Sequence, residues 1–466
     1  MSDIFDLLVI GGGINGVGIA RDAAGRGLKV LLCEQGDLAG ATSSASSKMI
    51  HGGLRYLEHG AFRLVRESLA EREVLLKTAP HLVRPMRFVL PHGPGLRPRW
   101  MVRLGLFLYD RLGGARSVPG SASVDLRPGT GGAFAAPLQG WVRDGFVYSD
   151  CVVDDARLTV ANARDAARHG AQIMTRTALA EARRDGGLWR ASLRFPDGKK
   201  EEVSARILVN AAGPWAAEVR GLAGLSGRAR LRLDKGSHIV VPRLYEGDHA
   251  YLLQNDDRRV VFAIPFERAY TLIGTTESAA PAPRAEPVTD AEVAYLGRAV
   301  GRWFKRAPEP QDIVWRFSGV RPLYDDGARS TSAASRDYVF ELDDAGPPCL
   351  SVFGGKLTTY RRLAEAALAR LSPHLPGLGP TWTASAMLPD DSETFAGPRS
   401  DFAPGLGRDE IDFLVREEWA RSADDILWRR SKLGLAASPE QKAALDKFLA
   451  SRGAGASAPA RQTADR

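Results

Sequence analysis

Cysteine is scarce in this sequence, which has three cysteines in 466 residues, at positions 33, 151 and 349. The number is odd, the spacing is wide and there is no CxxC pattern, and these features argue against a disulfide framework and against a structural zinc site. The sequence therefore predicts a protein of a reducing cytoplasm, without a metal.

Long hydrophobic runs are missing as well. No stretch approaches the roughly 18 uninterrupted apolar residues of a membrane-spanning helix, so any membrane contact is expected to be peripheral. The N-terminal segment MSDIFDLLVIGGG has neither the basic region nor the cleavage site of an export signal. It leads directly into a predicted strand, so we expect no exported form.

Charge of one sign is in modest excess, because 63 Lys and Arg residues against 55 Asp and Glu residues give a net charge of +8. This excess favours an anionic partner, such as a phosphorylated metabolite, an anionic lipid or a nucleic acid, although an ordinary basic surface explains it equally well. The sequence has no zinc-ligand spacing, basic helix repeat or aromatic RNA-binding signature, so we expect no nucleic-acid partner.

The most informative motif lies near the N-terminus, where residues 4–34 have the pattern of a strand, a glycine turn, a helix and a second strand. Gly11, Gly13 and Gly16 fit GxGxxG, a turn in which backbone N–H groups and a helix dipole approach a pyrophosphate closely. Glu34 closes the second strand, at the position of a ribose-binding carboxylate. The unit predicts a site for FAD or NAD and does not choose between them.

Two further segments favour a flavin. TSSASSKMIHGGLRY combines hydroxyls and glycines that suit an extended dinucleotide and a planar ring, and FGGKLTT starts a helix that would stabilise negative charge on a reduced flavin. Taken alone, the second segment is equally typical of an ordinary capped helix. The predicted cofactor contacts beyond the first motif are Thr42, Ser43, Ser44, Ser47, His51, Ala212, Gly213, Gly354, Gly355, Lys356, Leu357 and Thr358.

The chain is too long for a single core, and its patterns predict an α/β framework interrupted by an antiparallel sheet. An FAD-binding domain is expected in three parts, with a substrate- or membrane-facing insertion and a substrate-binding β-sheet domain between them. A reduced C-terminal helical domain and a disordered tail follow. In chain order these parts are 1–80 (FAD), 81–150 (insertion), 151–228 (FAD), 229–345 (β-sheet), 346–388 (FAD), 389–450 (helical) and 451–466 (tail).

Six segments, spread over about residues 5 to 390, resemble FAD-dependent glycerol-3-phosphate dehydrogenases of the respiratory kind. They are GGGINGVGIARDAAGRG, ATSSASSKMIHGGLRYLEHG, YSDCVVDDARL, KGSHIVVP, FSGVRPL and SVFGGKLTTYRRLAE. The resemblance implies an α/β, glutathione-reductase-like fold of the D-amino-acid-oxidase type with noncovalent FAD. It also implies sn-glycerol 3-phosphate as electron donor, a membrane quinone as acceptor, and a place on the inner face of the cytoplasmic membrane.

A phosphate dianion beside a flavin needs cations, and the region of resemblance offers Arg55, Arg321, Arg336 and Lys356. Arginine suits phosphate because its planar guanidinium donates two parallel hydrogen bonds. Together with Tyr56 and Thr359, which are expected to orient the substrate, these residues form the predicted substrate site.

The expected reaction converts the C2 alcohol to dihydroxyacetone phosphate, with a hydride passing from C2 to flavin N5. A neutral imidazole accepts the hydroxyl proton near physiological pH, and His238 is the first candidate for this base. His51 is the second candidate, although its place in a Ser- and Gly-rich loop favours a structural or flavin-contacting role. Arg321 is expected to hold the developing alkoxide, and the sequence leaves this division of roles open.

Residues 97–113, RPRWMVRLGLFLYDRLG, combine four arginines with large apolar side chains. This composition is typical of a helix in a membrane interface, with its basic residues toward the headgroups. A buried helix with a basic rim has the same composition. A quinone acceptor favours the membrane interpretation.

Two other functions remain as alternatives: an oxidase of the same fold that passes electrons to oxygen, and an FAD-binding scaffold without turnover. The scaffold hypothesis arises because the stretch between Met387 and Asp409 is short for this family. Helices beyond it are expected to lack some of their usual partners, so that their apolar faces dock elsewhere or form a homodimer. The residues of those faces are Ile411, Leu414, Trp419, Ile426 and Trp428.

Overall fold

The computed structural model of the chain describes residues 4–227, 230–257, 259–325, 337–390 and 402–453. The chain divides into two units, Met1–Pro389 and Asp390–Arg466. Both β-sheets lie in the first unit, whereas the described part of the second unit is helical.

The described residues form eighteen strands and ten α-helices. The strands are β1 (Ile4–Ile10), β2 (Val30–Cys33), β3 (Met49–Ile50), β4 (Val83–His92), β5 (Ala122–Asp125), β6 (Asp144–Val153), β7 (Gln172–Met174), β8 (Ala178–Asp185), β9 (Leu188–Arg194), β10 (Lys200–Asn210), β11 (Leu231–Pro242), β12 (Ala250–Gln254), β13 (Val260–Phe266), β14 (Tyr270–Gly274), β15 (Ser278–Ala279), β16 (Trp315–Tyr324), β17 (Tyr338–Asp343) and β18 (Cys349–Gly354). The α-helices are α1 (Ile14–Gly25), α2 (Phe62–Thr78), α3 (Arg99–Leu112), α4 (Gly132–Ala135), α5 (Asp155–Arg168), α6 (Ala216–Leu222), α7 (Asp290–Gly301), α8 (Tyr360–Leu371), α9 (Arg408–Glu417) and α10 (Pro439–Gly453).

The first sheet has a parallel centre in which β18, β10, β1, β2 and β7 are neighbours in that order. β1 is an unbroken apolar run, and Leu7, Leu8 and Val9 are fully buried, as expected for a parallel strand covered on both faces. α1 packs against α5 and α8. Because parallel strands end at one edge of a sheet, the turns after β1, β2, β10 and β18 lie together there, where such sheets bind their ligands.

The turn between β1 and α1 requires glycine for steric reasons. Gly11 has a φ of +115°, a conformation that strongly favours glycine. A Cβ on Gly16 would collide with the carbonyl oxygen of Gly11. α1 therefore starts directly against the end of β1, and the GxGxxG spacing predicted this close approach.

The second sheet has ten strands, and every described pairing except that of β4 with β12 is antiparallel. Its long strand β11 pairs with β14 and β15 on one side and with β16 on the other. One face of the sheet packs on α7 through a core that includes Ile239, Val241 and Leu296. The predicted antiparallel sheet and the predicted α/β framework are therefore both confirmed.

One strand joins a different sheet from the one that its predicted domain implies. β17, which the division at residue 345 assigned to the substrate-binding region, pairs with β18 at the edge of the first sheet. The remaining domain boundaries stay predictions. Among the described residues, no helix is long and apolar enough to cross a membrane.

The second unit has a core of its own, formed by α9, a π-helical turn at Asp425–Arg430 and α10. Ile411, Leu414 and Ile426 are buried in this core, and Trp428 packs against it. The expectation that these faces lack partners was therefore wrong, and they do not form the surface on which a homodimer was expected. Of the predicted tail, 451–453 end α10 and 454–466 lie outside the described residues.

We expect Gly16→Ala to destabilise the first unit by about 1 to 3 kcal/mol, because the new methyl group forces the turn after β1 apart. Gly221→Ala is the matched control: that glycine is also helical, and a Cβ there would meet no atom within 4 Å. Denaturant unfolding followed by circular dichroism measures both. If Gly16→Ala and Gly221→Ala were equally stable, the steric explanation of the turn would be wrong.

Candidate active site

The turn after β1 and the end of β2 are held together by one carboxylate. Glu34 accepts hydrogen bonds from the N–H of Gly12 (2.7 Å) and from the N–H of Gly36 (2.7 Å). Burial raises the pKa of this carboxyl, against the two backbone hydrogen bonds, which lower it. Glu34 thus lies directly beside the fingerprint glycines, as a ribose-binding carboxylate must.

The start of α1 is satisfied by the loop that follows the fingerprint unit. Gly13 is the N-cap residue and has no side chain for capping, and the N–H of Ile14 donates to the hydroxyl of Ser43 (2.9 Å). Ser43 therefore brings the loop 42–56 against the positive end of the helix dipole, where a pyrophosphate is stabilised.

The turns after β10 and β18 complete this edge of the sheet. A Cβ on Gly11 would lie 2.5 Å from the carbonyl oxygen of Ala211, so the 211–213 turn packs directly on the fingerprint turn. Gly213, Gly354 and Gly355 all have positive φ angles. The amide of Asn15 donates to the carbonyl of Gly354 (3.2 Å) and so joins the starts of α1 and α8.

Asn15 was absent from the predicted contacts, although it stands within the GGGING motif. Its amide oxygen is buried, and no hydrogen-bond partner for it is found among the described residues. A buried acceptor of this kind needs a donor, and this one lies between two glycine turns and two helix starts. The arrangement fits a flavin dinucleotide, whose pyrophosphate and ring both require close backbone approach.

The loop 42–56 links the two sheets. The hydroxyl of Thr42 donates to the carbonyl of Val320 on β16 (2.6 Å), and the hydroxyl of Ser47 is 2.9 Å from Nε2 of His238 on β11. At its far end, the N–H of His51 donates to the hydroxyl of Thr358 (3.2 Å). The hydroxyl of Ser44, in contrast, is used locally, on the carbonyl of Ala41.

His238 is buried, with 1% of its surface exposed, and its ring stacks on Phe317 at 4.9 Å between centroids. Burial lowers its pKa well below 6.5, and the nearby charges of Arg321 and Lys48 lower it further. Nδ1 is buried without a hydrogen-bond partner among the described residues. The side chain is therefore a neutral imidazole with a nitrogen available to a ligand, which His51 does not match.

Arg321 is fixed in orientation by two partners. It donates to the carboxylate of Asp234 (3.0 Å) and to the hydroxyl of Thr275 (2.9 Å). Gly236 leaves room for the guanidinium, since a Cβ there would collide with it. Neither Asp234 nor Thr275 was predicted from the sequence; their only signal is their position beside motif residues.

A second group of predicted residues lies around the start of α8. The ammonium of Lys356 lies 3.9 Å from the ring centroid of Tyr56, a cation–π distance. Thr359 has a buried hydroxyl with no hydrogen-bond partner in the part of the chain described. Arg55 is partly exposed in the same short helix as Tyr56, and Leu357 opens the turn that leads into α8. Arg336 lies outside the described residues.

Lys48 is a buried cation that the predicted site did not include. Its ammonium donates to Asp155 at the start of α5 (2.7 Å) and to the carbonyl of Ser44 (3.0 Å). It lies 5.2 Å from the Phe317 ring on which His238 stacks. The pair thus places positive charge near His238 while keeping the charge neutralised from behind.

Comparison with known proteins identifies relatives along the whole chain. The model of the DAO family, described as FAD dependent oxidoreductase, matches residues 6–361. A glycerol-3-phosphate dehydrogenase of Pseudomonas aeruginosa is 50% identical over 497 residues, covering 97% of this chain and 96% of the relative. A D-erythritol 1-phosphate dehydrogenase of Brucella abortus is 48% identical over 492 residues, covering 95% of this chain and 97% of the relative.

Solved structures share the fold at low sequence identity. A glycerol-3-phosphate dehydrogenase of Bacillus halodurans complexed with FAD has a TM-score of 0.69 and 22% identity, over 96% of this chain and 94% of that one. An L-α-glycerophosphate oxidase of Mycoplasma pneumoniae with FAD bound has a TM-score of 0.63 and 19% identity, over 83% of this chain and 99% of that one. The predicted fold is confirmed.

We expect Glu34→Gln to weaken flavin dinucleotide binding by roughly 10- to 100-fold, because charge-assisted hydrogen bonds contribute about 1.5 to 3 kcal/mol. Asp6→Asn is the matched control, since Asp6 also accepts a backbone N–H in the same βαβ unit, from Lys29, but at the other end of β1. Titration of the apoprotein with FAD, followed by flavin fluorescence, measures the affinity. Equal losses in the two variants would exclude a specific role for Glu34.

Proposed function

This chain belongs to the DAO family of FAD-dependent oxidoreductases, and from that premise we propose that it oxidises sn-glycerol 3-phosphate to dihydroxyacetone phosphate. The observation that carries the proposal is the buried, neutral imidazole of His238 beside the fixed guanidinium of Arg321. The identity of 50% with a glycerol-3-phosphate dehydrogenase over nearly the whole chain supports the same donor.

FAD, when bound, supplies the two-electron chemistry by accepting the hydride from C2 of the alcohol at N5 of its ring. The chain's own residues must therefore hold the donor, remove its hydroxyl proton and exclude water. Gly11, Gly13, Gly16, Glu34 and the loop 42–56 would hold the cofactor with the turns at 211–213 and 354–358. These assignments rest on the shared edge of the first sheet at which all of these segments lie.

His238 would accept the proton of the C2 hydroxyl. A base works well when it is deprotonated at the working pH and lies within reach of the proton. The lowered pKa of His238 keeps the imidazole neutral, and its Nδ1 is not committed to a hydrogen bond within the described chain. Arg321 would stabilise the negative charge that develops on the same oxygen.

The phosphate of the donor would be bound by the cations around the start of α8. Lys356, stacked on Tyr56, and Arg55 from the adjacent short helix lie in this region, and Arg336 is assigned to it from the sequence alone. The unbonded hydroxyl of Thr359 would donate to the substrate. Several fixed cations are what a dianion requires, because each one offsets part of its desolvation.

A second donor is favoured by a specific observation. The D-erythritol 1-phosphate dehydrogenase is as similar to this chain, within two percentage points, as the glycerol-3-phosphate dehydrogenase. Both donors are polyol phosphates, so the same cations and the same base would serve either one. They differ in the length of the carbon chain, and a direct comparison of rates separates them.

The electrons would pass to a membrane quinone, with α3 at the membrane surface. On one side of α3, Trp100 (66% exposed), Met101, Leu104 (50% exposed) and Phe107 project into solvent, while Leu106 and Tyr109 are buried on the other. Exposed apolar side chains on one face of a basic helix favour an interfacial position over a buried one. The protein would thus lie on the inner face of the cytoplasmic membrane.

The donor is tested by anaerobic stopped-flow bleaching of the bound flavin. We expect glycerol 3-phosphate to reduce the flavin rapidly and glycerol to leave it oxidised, with D-erythritol 1-phosphate as the competing arm. His238→Asn should slow reduction by roughly 10²- to 10⁴-fold, the usual contribution of a general base, and His374→Asn is the control. Flavin that stays oxidised with both phosphate esters would exclude the dehydrogenase, and faster reduction by the erythritol ester would reassign the donor.

The pH dependence tests the role of His238. Because the base must be deprotonated, kcat/KM falls as the pH drops through its pKa, and this limb should lie below pH 6.5. Lys48→Met removes a nearby positive charge and should move the limb to higher pH, whatever its effect on the maximum rate. A limb above pH 6.5, or one that Lys48→Met leaves in place, would point to a different base.

Membrane contact is tested with liposomes of anionic lipid. Replacing both Trp100 and Leu104 by Ser should reduce co-sedimentation at least tenfold, because about 0.8 kcal/mol is lost for each buried CH₂ removed from the lipid. The rate of flavin reduction by the donor should be unchanged, since these side chains point away from the site. The control is Val314→Ser, another exposed apolar residue. Equal loss in both variants would exclude a specific role for α3.

A further inference from the structure

One carboxylate accepts hydrogen bonds from two neighbouring strands at the back of the site. Glu292, the third residue of α7, accepts from the hydroxyls of Ser237 (2.7 Å) and Thr276 (3.2 Å) and from the ammonium of Lys235 (2.8 Å). It also closes the capping box of α7 by accepting from the N–H of Thr289 (2.9 Å). Glu292 therefore ties α7 to β11 and to the segment after β14.

The alternation of side chains along β11 places Glu292 behind the site rather than in it. Successive residues of a strand point to opposite faces. Lys235 and Ser237 point toward α7, and Ile239 continues this face into the core that includes α7. Gly236, against Arg321, and His238, against Ser47, belong to the opposite face. One strand thus carries the reacting groups on one side and their support on the other.

The same carboxylate also reaches the residue that follows Thr275. Thr276 accepts from the N–H of Ser237 (3.0 Å), and its own N–H donates to the carbonyl of Ser237 (3.3 Å). Thr275 accepts from Arg321. Glu292 therefore fixes the residue before His238 and the residue after the hydroxyl that orients Arg321.

The network around Glu292 is buried and charge-assisted. Lys235, Ser237 and Thr276 are all buried, and the Glu292 side chain is 14% exposed. Burial opposes ionisation of the carboxyl, but the hydrogen bonds from Lys235, Thr289 and Ser237 outweigh it and lower its pKa to about 2. Glu292 is therefore an anion over the whole range in which an imidazole base works, and its contacts do not vary with pH there.

We propose that Glu292 is a positioning residue that sets the orientation of His238 and, through Thr275, of Arg321. This inference rests on the proposed function, in which those two side chains act on the donor alcohol. A misplacement of about 1 Å is enough to reduce a rate roughly 100-fold. Glu292 itself touches neither side chain and acts only through Ser237 and Thr276.

Glu292→Gln tests the proposal because it keeps the shape of the side chain but removes the charge and one acceptor. We expect kcat for the donor to fall by roughly 10- to 100-fold, as for a displaced catalytic group, with KM and FAD content changed little. Thr289→Ala is the matched control, since it breaks the capping box and lowers the unfolding temperature but leaves the strand contacts of Glu292 in place. Ser237→Ala removes one strand contact and should lower kcat in the same direction as Glu292→Gln.

A double-mutant comparison separates positioning from a general loss of stability. If Glu292 acts through His238, adding Glu292→Gln to His238→Asn should lower kcat by much less than it does in the wild type. Full additivity, or a kcat for Glu292→Gln equal to that of Thr289→Ala, overturns the proposal.

Hydrogen exchange provides a readout that does not depend on turnover. Glu292→Gln should speed amide exchange in 235–238 and 275–276, whereas Thr289→Ala should speed exchange only at the start of α7. Unchanged exchange at 235–238 overturns the proposal whatever the donor. If the wild type reduces its flavin with neither phosphate ester, the proposed function fails, and faster exchange at both strands would still support positioning by Glu292.

Discussion

Burial of positive charge beside a neutral imidazole is the constraint on which this site depends. Lys48 and Arg321 both lower the pKa of His238, yet an unpaired cation in a buried position is costly. The fold resolves the conflict by pairing each cation from behind, Lys48 with Asp155 and Arg321 with Asp234. Removing one partner of such a pair typically costs about 3 to 5 kcal/mol, because the other charge stays buried.

These pairs also explain why the site needs both sheets. Lys48 lies on the loop that leaves the first sheet, and its partner begins α5, whereas Arg321 and its partner are cross-strand neighbours on β16 and β11. The loop 42–56 joins the two systems through Ser47 and His238. A shift of either sheet would therefore move the imidazole relative to the turns that hold the cofactor, and the hydrogen bonds of this loop oppose such a shift.

The sequence predicted the parts of the site whose requirements are local. The glycine turns were recognisable because Gly11 and Gly16 must approach within one short segment, and α2 and α3 were recognisable from the spacing of their apolar residues. Contacts between distant segments left no such pattern. Asn15 meets Gly354 across 339 positions, and Lys48 meets Asp155 across 107. Their partners are decided by sheet order and register, and the same register assigns β17 to the first sheet rather than to the second.

The fold alone does not decide the electron acceptor, since it is shared by a dehydrogenase and an oxidase at similar TM-scores. The donor half of the reaction uses buried groups whose geometry depends on the core, whereas the acceptor must reach the cofactor from outside. The exposed apolar face of α3 belongs to the surface and is not needed for packing, because Leu106 and Tyr109 bury the other face. A soluble acceptor gives no physical reason to keep Trp100 and Leu104 in water. A lipid-soluble acceptor does, because the enzyme must then lie where the acceptor is dissolved.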